Sequence, residues 1–532
     1  MKKSSAYHQI RFADDTSKQI KKIKMKKYSI LFLLALVSFT SCKKEFIEQS
    51  DPNAVTVENS FKSENDVLLA INGAYNVLRS GDNIGENSGL YTDERSDDTG
   101  RNDGQSNAGE PFQFNNFTLV PSNGNLKSHW TSLYQAITRC NTVTTYIDKV
   151  TFASNDTKLN YLAQAKFIRA LMYFQLVRKW GAVPIVTVPL TSADEVKAAT
   201  YRQSESLVYA QIVADLKDGL TSSLPNLQTG GNAGRVSKAA INGLLGQVYL
   251  TMASTLTEGK AENLTNANTY LTAAYNMRPF TTLASVAYAD VFDVNKKASN
   301  PEAIFEIVNI QGDLTYSSSI AANNQALGET INSLKTGLGA GGNVTPDLVL
   351  DYEANDIRKA FSVKFAANTQ IQDYFVTKYR DTNTGATTNG YGGNNTPIIR
   401  FADIILMLAE VNMNQGNAAA AIAYLDMVRA RAGLPLYAVA SLDPAYAAKY
   451  PTLKLAILHE RRVELAFEHH RWFDLIRFFT TEELVAFFKA KSQSNFGQAT
   501  LANFSNKDRY YPIPLDEYKL DPVKMYQNPG YN

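Results

Sequence analysis

The chain has 532 residues, 44% of them hydrophobic, with 53 basic against 51 acidic side chains and two cysteines. That length and apolar content suffice for a large core, and two cysteines exclude a disulfide framework. A formal charge of +2 leaves no basic excess of the kind a nucleic-acid partner selects.

Met25–Lys44 reads MKKYSILFLLALVSFTSCKK. Lys26 and Lys27 form a positive n-region, and the apolar run from Ile30 to Val37 is too short to span a bilayer. Ser38-Phe39-Thr40-Ser41 then leads with small residues into Cys42. This is the layout of a secretory signal peptide ending on a cysteine, and it resembles a bacterial lipobox. Cys42 then becomes the lipid-bearing first residue of the mature chain. Residues 1–41 are read as the leader, with Met25 as its start, because residues 1–24 are polar and precede a complete signal. The leader takes nine basic and two acidic residues with it, leaving 44 against 49 and a net charge of about −5.

Residues 42–62 read as a tethered N-terminal segment and 63–532 as a single body, since no Pro-rich or charged linker divides it. The apolar spacing predicts helices over Ser63–Arg79, Leu126–Asp148 and Thr157–Lys179, the last apolar on more than one side. It predicts further helices over Ser204–Leu220, Ser237–Met252, Thr265–Met277, Ile398–Gln415, Ala418–Ala432 and Leu453–Phe478. They come in pairs with short connections, so the fold class is mainly α, with tetratricopeptide-like helix pairs. Cys140 falls in the helical stripe Leu133, Ile137, Cys140, Val143, Ile147 and reads as an inert core thiol. Three polar, glycine-rich insertions interrupt the helices at 81–125, 310–345 and 380–396, and loops of that length inside a compact body are where binding residues belong.

Chemical motifs are mostly excluded. Gly337-x-Gly339-x-x-Gly342 follows no strand and opens no helix, so it is a loop and not a dinucleotide site. His459-Glu460-Arg461-Arg462-Val463 has valine where a zincin helix needs its second histidine. No Gly-x-Ser-x-Gly elbow is present. Asp381-x-Asn383-x-Gly385 matches the front of a calcium loop but lacks the following Glu, leaving Asp381 and Asn383 as the calcium candidate. No catalytic set emerges, and the chain does not read as an enzyme.

The helix at Leu455–Phe478, LAILHERRVELAFEHHRWFDLIRF, resembles the C-terminal signature of the SusD/RagB family of outer-membrane nutrient-binding lipoproteins. So do Arg400-Phe401-Ala402-Asp403, Leu425-Asp426-Met427-Val428-Arg429-Ala430-Arg431-Ala432-Gly433-Leu434 and Tyr511-Pro512-Ile513-Pro514. Earlier in the chain Trp130-x-x-Leu133-Tyr134, Arg169-Ala170-x-x-Tyr173-Phe174, Gly181-x-Val183-Pro184 and Arg235-Val236-Ser237-Lys238 follow in the family's order. The residues of Leu453–Phe478 themselves read as a buried, ion-paired scaffold and not as a binding site.

The resemblance implies a helical-repeat body whose insertions bind ligand, tethered by lipid at the cell surface. It also implies a SusC-like TonB-dependent transporter as partner, over which the lipoprotein acts as a lid. The implied ligand is an oligosaccharide, stacked on aromatic rings and bonded through its hydroxyls. The aromatic candidates in the insertions are Tyr91, Phe112, Phe114, Phe117, Tyr316 and Tyr391, with Asp93, Arg95 and Asn394 as polar partners. None of the three tryptophans lies in an insertion. The alternatives are the same uptake role for peptides or another nutrient, and a helical-repeat envelope scaffold lipoprotein without sugar binding.

Overall fold

Ser63 opens the first helix by the mechanism its sequence predicts: its hydroxyl caps the Asp66 amide, and Asp66 bonds back to the Ser63 backbone. The computed structural model describes residues 60–100, 109–325, 344–367, 372–491 and 501–531. The leader, Cys42 and the Gly337–Gly342 loop lie outside them. Phe61–Asn532 form one compact unit.

The helices are α1 (Glu64–Leu78), α2 (Gly124–Tyr146), α3 (Asn155–Trp180), α4 (Glu205–Gly219), α5 (Lys238–Thr255) and α6 (Lys260–Tyr275). They are followed by α7 (Phe401–Asn414), α8 (Ala418–Arg431), α9 (Leu453–Glu464), α10 (Arg471–Phe478) and α11 (Thr481–Lys489). Consecutive helices pack against one another, α2 on α3, α3 on α4, α5 on α6 and α7 on α8. Every residue of α3 from Phe167 to Trp180 is buried, as its two-sided apolar pattern predicts. Gly246 lets α5 and α6 approach closely: a Cβ there would stand 2.4 Å from Leu271 Cγ.

Several recognised motifs act as clasps. Arg169 on α3 makes a two-pronged ion pair with Asp215 on α4 at 2.8 and 2.7 Å, and its third nitrogen reaches Asn141 Oδ1 on α2 at 2.8 Å. Gly181, at φ +71°, turns the chain after α3. The C-terminal Tyr511-Pro512 then covers that end: Tyr511 N donates to Lys179 O at 2.7 Å, and Trp180 Nε1 donates to Pro512 O at 2.9 Å.

Two predicted helix boundaries are corrected. Residues 396–400 form a strand, β4 (Thr396–Arg400), pairing antiparallel with β1 (Ala303–Ile307) from Ala303↔Arg400 to Ile307↔Thr396, and the helix starts only at Phe401. Pro397 and the β-branched Ile398 and Ile399 favour the extended form. A second antiparallel pair, β2 (Val363–Ala367) and β3 (Gln372–Val376), is separate. The continuous helix expected over Leu453–Phe478 is broken between α9 and α10, where Phe467 and His469 both sit at φ +65°. The carbonyls of the break are taken by side chains: Arg400 Nη2 donates to Glu464 O at 2.9 Å, Lys378 Nζ to Ala466 O at 2.9 Å, and Tyr379 OH to Phe467 O at 3.2 Å. With those partners the backbone does not need the helical ladder.

The family-signature segment around α9 is the electrostatic centre of the body. The Glu464 carboxylate, fully buried, accepts from Arg400 at 2.7 Å, from Arg358 at 3.0 Å and from Arg431. Burial opposes its ionisation, but Arg431, Arg400 and Arg358 outweigh that and hold it far below the usual glutamate range. Glu302 bridges Arg400 at 2.6 Å and Arg431, while Glu468 takes Arg400 at 2.7 and 2.8 Å. The scaffold reading of this segment therefore agrees with its burial.

His459 on α9 stands between two carboxylates, Asp351 at 3.3 Å from Nδ1 and Glu353 at 3.2 Å from Nε2. Glu353, His459 and Glu460 bring ligand-type atoms within 4.8 Å of one another. Arg429, however, already bonds Glu353 at 2.7 Å and Glu460 at 3.1 Å. The oxygens are committed to a guanidinium, and the cluster is an ion-pair node.

Replacing Glu464 by Ala leaves three buried arginines short of a partner and is expected to cost about 3–5 kcal/mol, read as a fall in the urea midpoint. A loss below about 1 kcal/mol would mean that the network does not hold the body together. For His459, burial lowers the basicity, but Asp351 and Glu353 overcome it and raise the pKa above its ordinary value. Its contribution is complete below the unfolded value of about 6.5 and fades as pH rises through the higher folded value. The stability difference between wild type and His459→Gln should be larger at about pH 5.5 than at about pH 9; a difference that grows with pH contradicts this.

Candidate functional site

The described parts of the three insertions are tied together by side-chain and backbone hydrogen bonds. In the first, 3₁₀ turns at Ser88–Tyr91 and Asp93–Arg95 carry the chain past Glu86. The Glu86 carboxylate grips the second insertion, accepting from Ser319 N at 2.8 Å, from Ser319 Oγ at 2.6 Å and from Ser318 Oγ. The third insertion joins the second where Ser318 and Gly392 exchange backbone hydrogen bonds of 2.7 and 2.8 Å. Asp381 is the hub of this layer: it accepts from Gln311 Nε2 at 2.9 and 2.8 Å, from Gly393 N at 2.7 Å and from Asn383 N at 3.0 Å. Its oxygens are spent on holding the loops, and the Asn383 amide donates to Asn295 at 3.3 Å. The suggested calcium pair thus forms a turn anchor.

Between the first and second insertions lies a cleft of about 210 Å³. Its walls present Asn87, Asp93, Glu94, Asn323 and Asn324, and its floor is formed by Tyr379 with the two positive-φ residues Phe467 and His469. His469 Nδ1 lies 3.1 Å from Asp93 Oδ2 and 3.3 Å from Thr92 Oγ1. Such backbone strain needs a surrounding that over-determines it and is common at binding sites. Carboxylates and side-chain amides crowded round a partly apolar floor suit a ligand rich in hydroxyls.

On the far side of the second insertion, a broader concavity of about 580 Å³ contains Tyr316, which is 43% exposed. Arg79 from the end of α1 fixes it. The guanidinium lies 5.2 Å from the Tyr316 ring centre and donates to four carbonyls, Val308 at 3.1 Å, Thr315 at 3.3 Å, Tyr316 at 3.0 Å and Ser317 at 3.2 Å.

The sequence candidates therefore separate. Asp93 lines the cleft, Tyr316 lines the second concavity, and Tyr391 and Phe112 are half-buried on the surface. Tyr91, Phe114, Phe117 and Arg95 are corrected: they are core residues. Tyr91 stacks on His129 at 3.9 Å and packs edge-on against Phe114. Arg95, 0% exposed, lies among the rings of Phe117, Trp472 and Tyr511. The helical packing around them needs large rings, and it takes them from the insertion nearest in sequence. Asn394 is also buried, donating to Arg380 O at 3.3 Å. Sequence reasoning missed Glu86, Asn87, Asn323 and Asn324, which are ordinary polar loop residues. It also missed the floor at Phe467 and His469, which the apolar pattern assigned to a continuous helix. The His469-His470 pair was the signal available.

This is a helical-repeat architecture, with a polar cleft walled by loops on a tetratricopeptide-like frame. Residues 354–531 match the SusD family model, and residues 45–250 match a model described as starch-binding and associating with the outer membrane. The chain belongs to the SusD family. SusD-like protein P2 of Formosa agariphila is 27% identical over 95% of this chain and 100% of its own. A SusD-like protein of Bacteroides ovatus is 22% identical over 79% of this chain and 77% of its own. Among solved structures, a laminarin-binding SusD-like protein superposes with a TM-score of 0.70 and 27% identity, covering 88% of this chain and all of that one. A SusD superfamily protein from Parabacteroides distasonis gives 0.69 at 21% identity, over 88% and 99%. Proteins of this family bind and do not catalyse, and the chain is not an enzyme.

Arg79→Ala should release the 308–317 segment, raising its amide exchange at least about tenfold while changing global stability by no more than about 2 kcal/mol. Unchanged exchange would show that the segment is held by other contacts.

Proposed function

We propose that this protein captures a neutral oligosaccharide at the cell surface and passes it to a SusC-like TonB-dependent outer-membrane transporter, acting as that transporter's lid. Cys42 carries the lipid that tethers it. The observation that carries the ligand class is the likeness, at 27% identity and along the whole of its length, to a laminarin-binding SusD-like protein. The family description, which names outer-membrane association, supports the location. The cleft chemistry agrees: Asn87, Asp93, Asn323 and Asn324 offer the donors and acceptors that sugar hydroxyls need. The binding surface consists of these residues with Glu94. Tyr316, and Tyr391 on the adjoining loop, remain the rings available for stacking against a sugar face.

The test is affinity electrophoresis of a soluble chain beginning after Cys42 through gels containing laminarin, starch or an acidic polysaccharide. Retardation in a neutral-glucan gel, weakened at least about tenfold by Asn324→Ala or Asp93→Asn, supports the reading. Tyr316→Ala and Tyr391→Ala report whether either ring joins the surface. No retardation in any neutral-glucan gel overturns the oligosaccharide assignment while leaving the family unchanged.

A further inference from the structure

Behind the cleft floor, and sharing His469 with it, lies a cavity of about 40 Å³ between α3, α5, α10 and the first insertion. Two consecutive cations of α3 line it, Arg178 at 6% exposure and Lys179 at 1%. The arginines of α9 and α10 all have carboxylates: Arg461 has Asp403 and Asp474, Arg462 and Arg471 have Asp97, and Arg477 has Glu410. Arg178 and Lys179 have none within 4 Å among the described residues.

The Arg178 guanidinium is sandwiched between the Phe174 ring, 3.8 Å away, and the Phe473 ring, 3.5 Å away. Only its Nε is used, donating to Phe174 O at 3.1 Å, and the two terminal nitrogens have no acceptor among the described residues. Lys179 Nζ has two neutral partners, His129 Nε2 at 2.7 Å and Gln175 Oε1 at 3.1 Å. The carboxylate that shares the wall, Glu468, is already spent on Arg400 and Lys378. A buried guanidinium keeps its proton, and a buried charge without a counter-charge is strongly unfavourable. Burial shows its pressure here by pulling Arg178 down to about 9 and Lys179 well below the ordinary lysine value.

We propose that this cavity is a halide site, in which one chloride-sized anion held by Arg178 and Lys179 completes the charge balance of the core. The cavity exceeds the roughly 10–15 Å³ that a single water needs, so it admits a monatomic anion with a water beside it. With the aliphatic walls of Leu171, Ile398 and Ile399 on one side, a cavity of about 40 Å³ has no room for a larger oxyanion. The side-chain amides of Gln175 and Gln247 also line the cavity.

Thermal unfolding of the protein in sodium chloride against sodium gluconate at matched ionic strength tests this. The melting temperature should rise by about 1–2 °C for each tenfold increase in chloride and stay flat in gluconate. In Lys179→Met the chloride dependence should vanish. Should that variant fail to fold, bromide-soaked crystals of the wild type should give an anomalous peak beside the Arg178 and Lys179 nitrogens. Equal melting temperatures in the two salts, a chloride response that Lys179→Met retains, or crystals without bromide in this cavity would each overturn the assignment.

Discussion

One fully buried carboxylate, Glu464 at the end of α9, organises the molecule. Three arginines from three places in the chain converge on it: Arg358 before β2, Arg400 at the end of β4 and Arg431 at the end of α8. Each of these charges would be ruinous alone in the interior, and together they are tolerable only in one arrangement. The network thus couples the sheet pairs, the α7–α8 pair and the C-terminal helices. Arg400 also supplies the geometry that ends α9, because the donor that salt-bridges Glu464 and Glu468 also occupies the Glu464 carbonyl.

That double duty connects the scaffold to the site. The break after α9 places Phe467 and His469 in left-handed backbone, and these two residues form the cleft floor. Their strain is held by Lys378, Tyr379 and Arg400, all buried and all anchored on the same segment. The cleft therefore stands on the buried ion-pair network, and its polar walls come from the loops.

The fold was legible wherever apolar spacing had one interpretation. Ser63 caps the first helix as its spacing to Asp66 predicts, and α3 is buried all round from Phe167 on, as its two-sided apolar pattern predicts. Legibility failed where a distant side chain overrode the local pattern. Nothing within Leu453–Phe478 discloses that Arg400 and Lys378 will take its carbonyls, and β4 pairs with a strand more than ninety residues upstream. The site was less legible still. Aromatic residues in an insertion are ambiguous between stacking platform and core, and Tyr91, Phe114 and Phe117 went to the core because α2 and the C-terminal segments left spaces for rings there. The cleft walls are Asn, Asp and Glu, whose side chains look alike in any polar loop until Glu86 and the Ser318–Gly392 bridge bring them together.

This division of labour separates ligand choice from stability only in part. The insertions are joined to each other through Glu86, Asp381 and Arg79, which take both backbone groups and side chains as partners, and the first is also tied to the scaffold through Asp97, Tyr91 and Phe114. Tyr316 and Asn323 belong to these anchors as well, through the Arg79 guanidinium over the Tyr316 ring and the Asn323 amide bond to Ser319 Oγ at 3.1 Å. In the scaffold, any change at Glu464, Arg400 or Arg431 strands a buried charge. Most of the motif residues that carry the resemblance, Glu464, Arg400, Arg431 and Arg169 among them, therefore lie in buried ion-pair networks, and the signature segment reaches the cleft only through Phe467 and His469 at its floor.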